Sequence, residues 1–162
     1  MADFLAMQPM TAAFTKAGLA VGTTTTLTTA NTSNYAIRGK AYTAAGASNA
    51  ATPTTDAVTG AAFLPIAVNK AGVFVICLDT SGALKVVQGS IVDYSDAGVF
   101  AVAPQFPGIP SDTLCPIGYE LVKVISTGST WTFGVSNQAS QTGITKVLVD
   151  VAGGMPDRPQ VA

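Results

Sequence analysis

Gly72 to Ser90 constrains this chain more than any other stretch. Val73 to Leu78 is an unbroken apolar run, β-branched and aromatic. It is too short for a lone buried helix and has the make-up of a strand covered on both faces. Asp79-Thr80-Ser81-Gly82 follows. Its first side chain can hydrogen-bond its own turn backbone, and its last residue is free to take a positive φ. Ala83 to Gln88 then returns as a second strand. The pattern predicts a hairpin at the centre of a β core.

The rest of the chain carries the same texture. Gly22-Thr23-Thr24-Thr25-Thr26-Leu27-Thr28-Thr29 is a β-branched run whose hydroxyls suit a half-exposed strand. Tyr35 to Tyr42 alternates large and small residues around Gly39, which predicts two short strands and a tight turn. Ala44 to Gly60 is small and polar and reads as a long loop. Pro65 limits Phe63–Val68 to an edge strand or irregular chain. Ile91 to Tyr94 continues a strand into a turn marked by Asp93, Asp96 and Gly98. The prolines of the segment Pro104 to Pro110 keep it extended and out of the middle of any sheet. Ile117 to Ser126, Trp131 to Val135 and Thr145 to Val151 are the later strands, and no repeat of fixed period appears. The expectation is a single all-β domain, a sandwich or barrel-like fold. At 162 residues it can bury roughly 70% of the surface its unfolded chain exposes.

The ends have a different character. Phe4, Leu5, Met7, Met10, Phe14 and Leu19 are irregularly spaced through the first twenty residues, and Pro9 breaks any helix running past it. The last ten residues contain Met155-Pro156-Asp157-Arg158-Pro159-Gln160, locked in an extended form. The expected organisation is an apolar N-terminal arm over 1–20, the β domain over 21–152 and an extended C-terminal tail over 153–162.

Charge is where the composition departs from the ordinary. Charged residues make up 10% of the chain, against about 25% in typical soluble domains. Little surface charge favours a surface buried against copies or partners over one kept free in water. The eight basic residues are scattered, so no patch can neutralise a run of phosphates, and a nucleic-acid partner is not expected. Ala17 to Ile37 lacks charge, but its Thr and Asn content is too polar for a membrane span. The start, Met-Ala-Asp-Phe-Leu, lacks the basic and long apolar regions of a secretory signal. Cys77 and Cys115 are therefore expected to be buried free thiols made in a reducing cytosol.

Catalytic constellations are missing from the residues themselves. The chain has no histidine, which removes the commonest general base and the histidine-dependent triads. It has no Gly-x-Ser-x-Gly elbow and no phosphate-cradling Gly-x-x-x-x-Gly-Lys loop. Two cysteines without histidine cannot build a standard zinc site, and the aspartates near Asp79, Asp93 and Asp96 sit where turns need them. Glu120 is the only glutamate, so a glycosidase-type pair of glutamates cannot form. No enzyme activity, cofactor or metal is expected.

Several strings taken together add a further expectation. They are Thr52-Pro53-Thr54-Thr55-Asp56 leading to Gly60-Ala61-Ala62-Phe63, Leu84-Lys85-Val86-Val87-Gln88-Gly89, and Pro104-Gln105-Phe106-Pro107 continuing to Cys115-Pro116-Ile117-Gly118-Tyr119. With Trp131-Thr132-Phe133-Gly134 and Pro156-Asp157-Arg158-Pro159-Gln160, the chain from about Leu19 onward resembles small head-surface proteins of tailed bacteriophages, of the decoration or cement type. The resemblance implies a β-rich module made in the host bacterial cytoplasm and carried on the virion. Such a module binds the outside of a capsid at junctions between major capsid protein subunits, as a homo-oligomer, typically a trimer. It brings no catalytic residues with it. Apolar residues in segments too broken to form core elements are then the expected contacts. The first set is Phe4, Leu5, Met7, Met10 and Phe14, and the second is Phe106, Ile109, Met155, Pro156, Arg158 and Pro159. The alternative reading is a phage fibre or glycan-binding module with Trp131, Tyr35 and Tyr42 as stacking groups.

Overall fold

A computed structural model describes residues 10–160. The chain is all-β: ten strands form three antiparallel sheets, and no helix occurs among the described residues. The central sheet holds β7 (Lys70–Asp79), β8 (Leu84–Asp93), β9 (Leu114–Val124) and β10 (Ile144–Asp150) in the order β10-β9-β7-β8. Two smaller sheets complete the fold: β1 (Ala12–Ala13), β4 (Ser33–Ile37) and β5 (Lys40–Ala44) in one, and β2 (Leu19–Val21), β3 (Thr26–Thr29) and β6 (Ala47–Ala51) in the other.

The hairpin expected at the centre is there. Ala71 to Leu78 is buried residue by residue, as a strand covered on both faces must be. Its side chains alternate between two apolar clusters. Phe74, Ile76 and Leu78 point into one with Ile117, Val122 and Val124, while Val73, Val75 and Cys77 point into the other with Tyr119 and Leu121. The turn is held by Asp79, whose Oδ1 accepts from the Ser81 N–H at 2.8 Å, the Ser81 hydroxyl at 2.6 Å and the Ala83 N–H at 3.0 Å. Gly82 takes the positive φ of 81° that closes it. The second tight turn also forms as expected: Arg38 and Gly39 both have positive φ, the geometry that matches the twist of a two-residue hairpin.

The first cluster is the larger. Phe63, Phe74, Trp131 and Phe133 pack edge-on or tilted, with ring centroids 4.9–5.9 Å apart. The second cluster is closed by chain that is not strand: Phe100, Phe106 and Ile109 from one side, Val151 and Met155 from the other.

Three expectations are corrected. Trp131 to Val135 is not a strand. Only Trp131 pairs, exchanging two backbone bonds with Ile66, and the chain then turns; the alternate burial of Trp131 and Phe133 comes from two anchors in an irregular segment. Ala44 to Gly60 is not all loop, since its small residues 47–51 pair with β3. The described part of the expected N-terminal arm, 10–20, is built into the domain. Ala12 and Ala13 pair with β4, Ala17 is fully buried, and Leu19 starts β2.

Candidate functional site: an outward apolar edge and a buried acid

The expected contact residues divide by what their neighbours leave exposed. β1 is fixed from both sides. Its flanking Met10 carbonyl accepts from the Gly39 N–H at 2.9 Å, the Phe14 N–H donates to the Asn34 carbonyl at 2.8 Å, and the Gly153 N–H donates to the Ala13 carbonyl at 2.6 Å. The Thr11 hydroxyl donates to the Ser111 carbonyl and accepts from the Arg38 N–H. With the backbone so held, the side chains of Met10 and Phe14 stand out at the two ends of β1, 55% and 51% exposed. Phe4, Leu5 and Met7 lie outside the described residues.

The second set mostly serves the molecule's own core. Phe106 meets the Tyr119 ring edge-on at 4.9 Å, and Ile109 and Met155 are half-buried against the same cluster. Pro156 is half-buried, Pro159 is buried, and the Gln160 N–H donates to the Tyr119 hydroxyl at 2.9 Å, so the last described residues run back over β9. Of this set Arg158 is exposed. The sequence reading missed other outward apolar side chains, Leu64, Val99, Val102 and Val135. They are single residues in irregular chain, where no periodicity marks a face.

The stacking groups of the alternative reading are not free to stack on a ligand. Trp131 and Tyr35 are buried, and Tyr42 lies on the Tyr35 ring at 5.6 Å.

A second site was not expected. Glu120 sits mid-strand in β9, opposite Phe74 of β7 and Leu148 of β10, and is fully buried. Neither carboxyl oxygen closes a hydrogen bond among the described residues, nor does either side-chain amide atom of buried Gln138. Burial pushes the Glu120 carboxyl up to about 7, against a pull downward from the Lys146 ammonium and the nearby Gln138 amide. Burial in turn lowers Lys146, with Glu120 opposing. The Lys146 ammonium donates to the Asn137 carbonyl at 2.8 Å and lies 4.9 Å from the centre of the Trp131 ring. The Trp131 indole N–H donates to the same carbonyl at 3.1 Å. In the sequence Glu120 looks like one polar residue in an alternating strand; nothing local shows that its partners come from 138 and 146.

Cys77 and Cys115 are both buried and unpaired with each other, and burial raises both thiols, that of Cys115 to about 11. No helix among the described residues is long and apolar enough to cross a membrane. Comparison with known proteins found no matching family model, no matching curated protein and no matching solved structure.

Proposed function

We propose that this protein is a non-enzymatic structural protein of a tailed-phage virion. It binds the outer surface of the capsid and stabilises the junctions between major capsid protein subunits, as a homo-oligomer. The observation that carries the reading is the pair Met10 and Phe14, held outward on a backbone-locked strand next to the apolar sequence Phe4, Leu5 and Met7. A large exposed Met and Phe in a chain this poor in charge favours a partner surface. Fully burying a side chain of that size is worth about 1.5–3 kcal/mol, and a shell repeats the contact many times over. The resemblance of the strings from Thr52 to Gln160 to decoration proteins supplies the identity of the partner, the major capsid protein.

The test is co-sedimentation of the purified protein with undecorated capsids of the phage that encodes it. Binding is expected to saturate at a fixed number of copies per capsid. The double variant Met10→Glu with Phe14→Glu, still folded by circular dichroism, should bind at least tenfold more weakly, a loss of about 1.4 kcal/mol or more. Absence of saturable binding by the unaltered protein overturns the proposal and favours a fibre or receptor-binding role.

A further inference from the structure

Buried carboxylates in folded proteins are nearly always paired or hydrogen-bonded, so one whose two oxygens lack partners calls for a reason. Among the described residues, Glu120 is such a group. It pairs with Phe74, and Phe74 packs against Trp131 and Phe133 at the start of the connection from Trp131 to Gly143 that leads into β10. The start of this connection is held by the Ile66 pairing and the burial of Trp131 and Phe133, its end by the Gly143 carbonyl on the Ile125 N–H, and its middle at residues 137 and 138. The Asn137 carbonyl accepts from both Lys146 and Trp131, and the Gln138 N–H donates to the Thr24 carbonyl at 2.5 Å. One of these fasteners, Lys146, is the cation that acts on Glu120.

We propose that Glu120, Gln138 and Lys146 form a proton-operated latch on the 131–143 connection. In the protonated state the Glu120 hydroxyl has the Gln138 amide oxygen as an acceptor, and the Lys146 ammonium remains on the Asn137 carbonyl and the Trp131 ring. When Glu120 gives its proton to solvent, a carboxylate is left in a largely apolar setting with the Gln138 amide and one cation, Lys146, near it. Lys146 is drawn toward that charge and away from Asn137, and the connection loosens at residues 137–138.

The groups around Glu120 make this a local event. From β7 it faces Phe74 and from β10 Leu148, both apolar; the connection contributes Trp131 and the uncharged Gln138. Asp150, the nearest acid on the same face of β10, is engaged through its Oδ2 with the Leu19 N–H at 2.8 Å. Lys146 is the ionisable group that acts on Glu120. A carboxyl held near neutrality by burial places the change well above the ordinary carboxylate range.

Trp131 is the single tryptophan, so its fluorescence reads the latch directly. Between pH 5 and 9, with far-UV circular dichroism constant, the emission is expected to follow one sigmoid centred near neutrality. Amide exchange at 137–139 should quicken at least several-fold over the same interval, beyond the intrinsic pH dependence of exchange. Glu120→Gln should abolish the sigmoid. Lys146→Met, which removes the moving cation, should flatten the emission curve and leave exchange at 137–139 quick throughout; this second variant decides the matter if Glu120→Gln does not fold. A flat emission curve in the unaltered protein, or the same sigmoid in Glu120→Gln or in Lys146→Met, would each overturn the proposal.

Discussion

Two aspartates show how far single residues announce their work. Asp79 is legible because its partners, Ser81 and Ala83, lie within four positions, and an aspartate opening a turn before glycine is a local chemical pattern. Asp56 does more and announces less. Its Oδ1 accepts from the Val58 N–H, the Thr59 N–H and the Thr59 hydroxyl, while Oδ2 accepts from the Gln88 N–H at 2.7 Å. Burial would raise this carboxyl, but the hydrogen bonds from Gln88, Thr59 and Val58 outweigh it and hold it below the ordinary range. The bond to Gln88 ties the 52–63 segment to the β8 edge across 32 positions, a distance over which a single sequence gives no signal. Asp56→Asn keeps the shape and loses the charge-assisted acceptance, so it should lower stability by about 2 kcal/mol, read as a shift in the urea midpoint. An unchanged midpoint would mean that the segment is held by its other contacts, the Ala57 N–H on the Val86 carbonyl and buried Phe63 among them.

Elements were legible in proportion to how much of their burial is their own. β7, β8 and β9 carry enough apolar residues to declare themselves, and the pairing of β7 with β8 follows from the hairpin. β6 does not: Ala47 to Ala51 has no apolar pattern and is strand because β3 offers it a partner. Trp131 and Phe133 mimic a strand because two buried aromatics one residue apart satisfy a period of two in any conformation. The candidate contacts follow the same rule. Met10 and Phe14 stand out in the sequence because they are large and apolar, whereas the half-burial of Phe106, Ile109 and Met155 depends on a sheet face that only the assembled fold creates. Packing between elements is tightest where β9 carries no side chain. A Cβ on Gly118 would lie 2.3 Å from Leu19 Cδ1 and 2.4 Å from the Val149 carbonyl oxygen, and a backbone atom cannot step aside cheaply. Gly118→Ala should therefore cost about 2 kcal/mol or more and loosen β2 and β10 together. Thermal unfolding and amide exchange on both strands would show it; a near-neutral effect would mean that the β2 contact is soft.

At the scale of the molecule, two sets of acids oppose each other across the pH range. Asp56 and Asp79 have lowered carboxyls, so their contribution to stability is complete above about pH 4 and fades as pH falls further. For Glu120 the sign is reversed. Its folded value, about 7, stands above the ordinary 4.5, so the folded state holds the proton more tightly, and stability declines as pH rises between those values. The difference corresponds to about 3 kcal/mol by linkage, an order of magnitude that relaxation around Lys146 will reduce. The protein should be most stable near pH 4 to 5 and weaker at pH 8, and Glu120→Gln should flatten the alkaline side. Urea unfolding at pH 5 and pH 8 checks this, and equal midpoints would count against a raised Glu120.

The two thiols carry a consequence of another kind. Cys77 is enclosed in the central strand, and burial keeps its sulfur protonated and out of contact with solvent. An alkylating reagent can reach it only when the central sheet itself comes apart. Labelling at Cys77 is thus a clock for whole-domain opening, usable in mixtures where spectroscopy would see mostly other proteins.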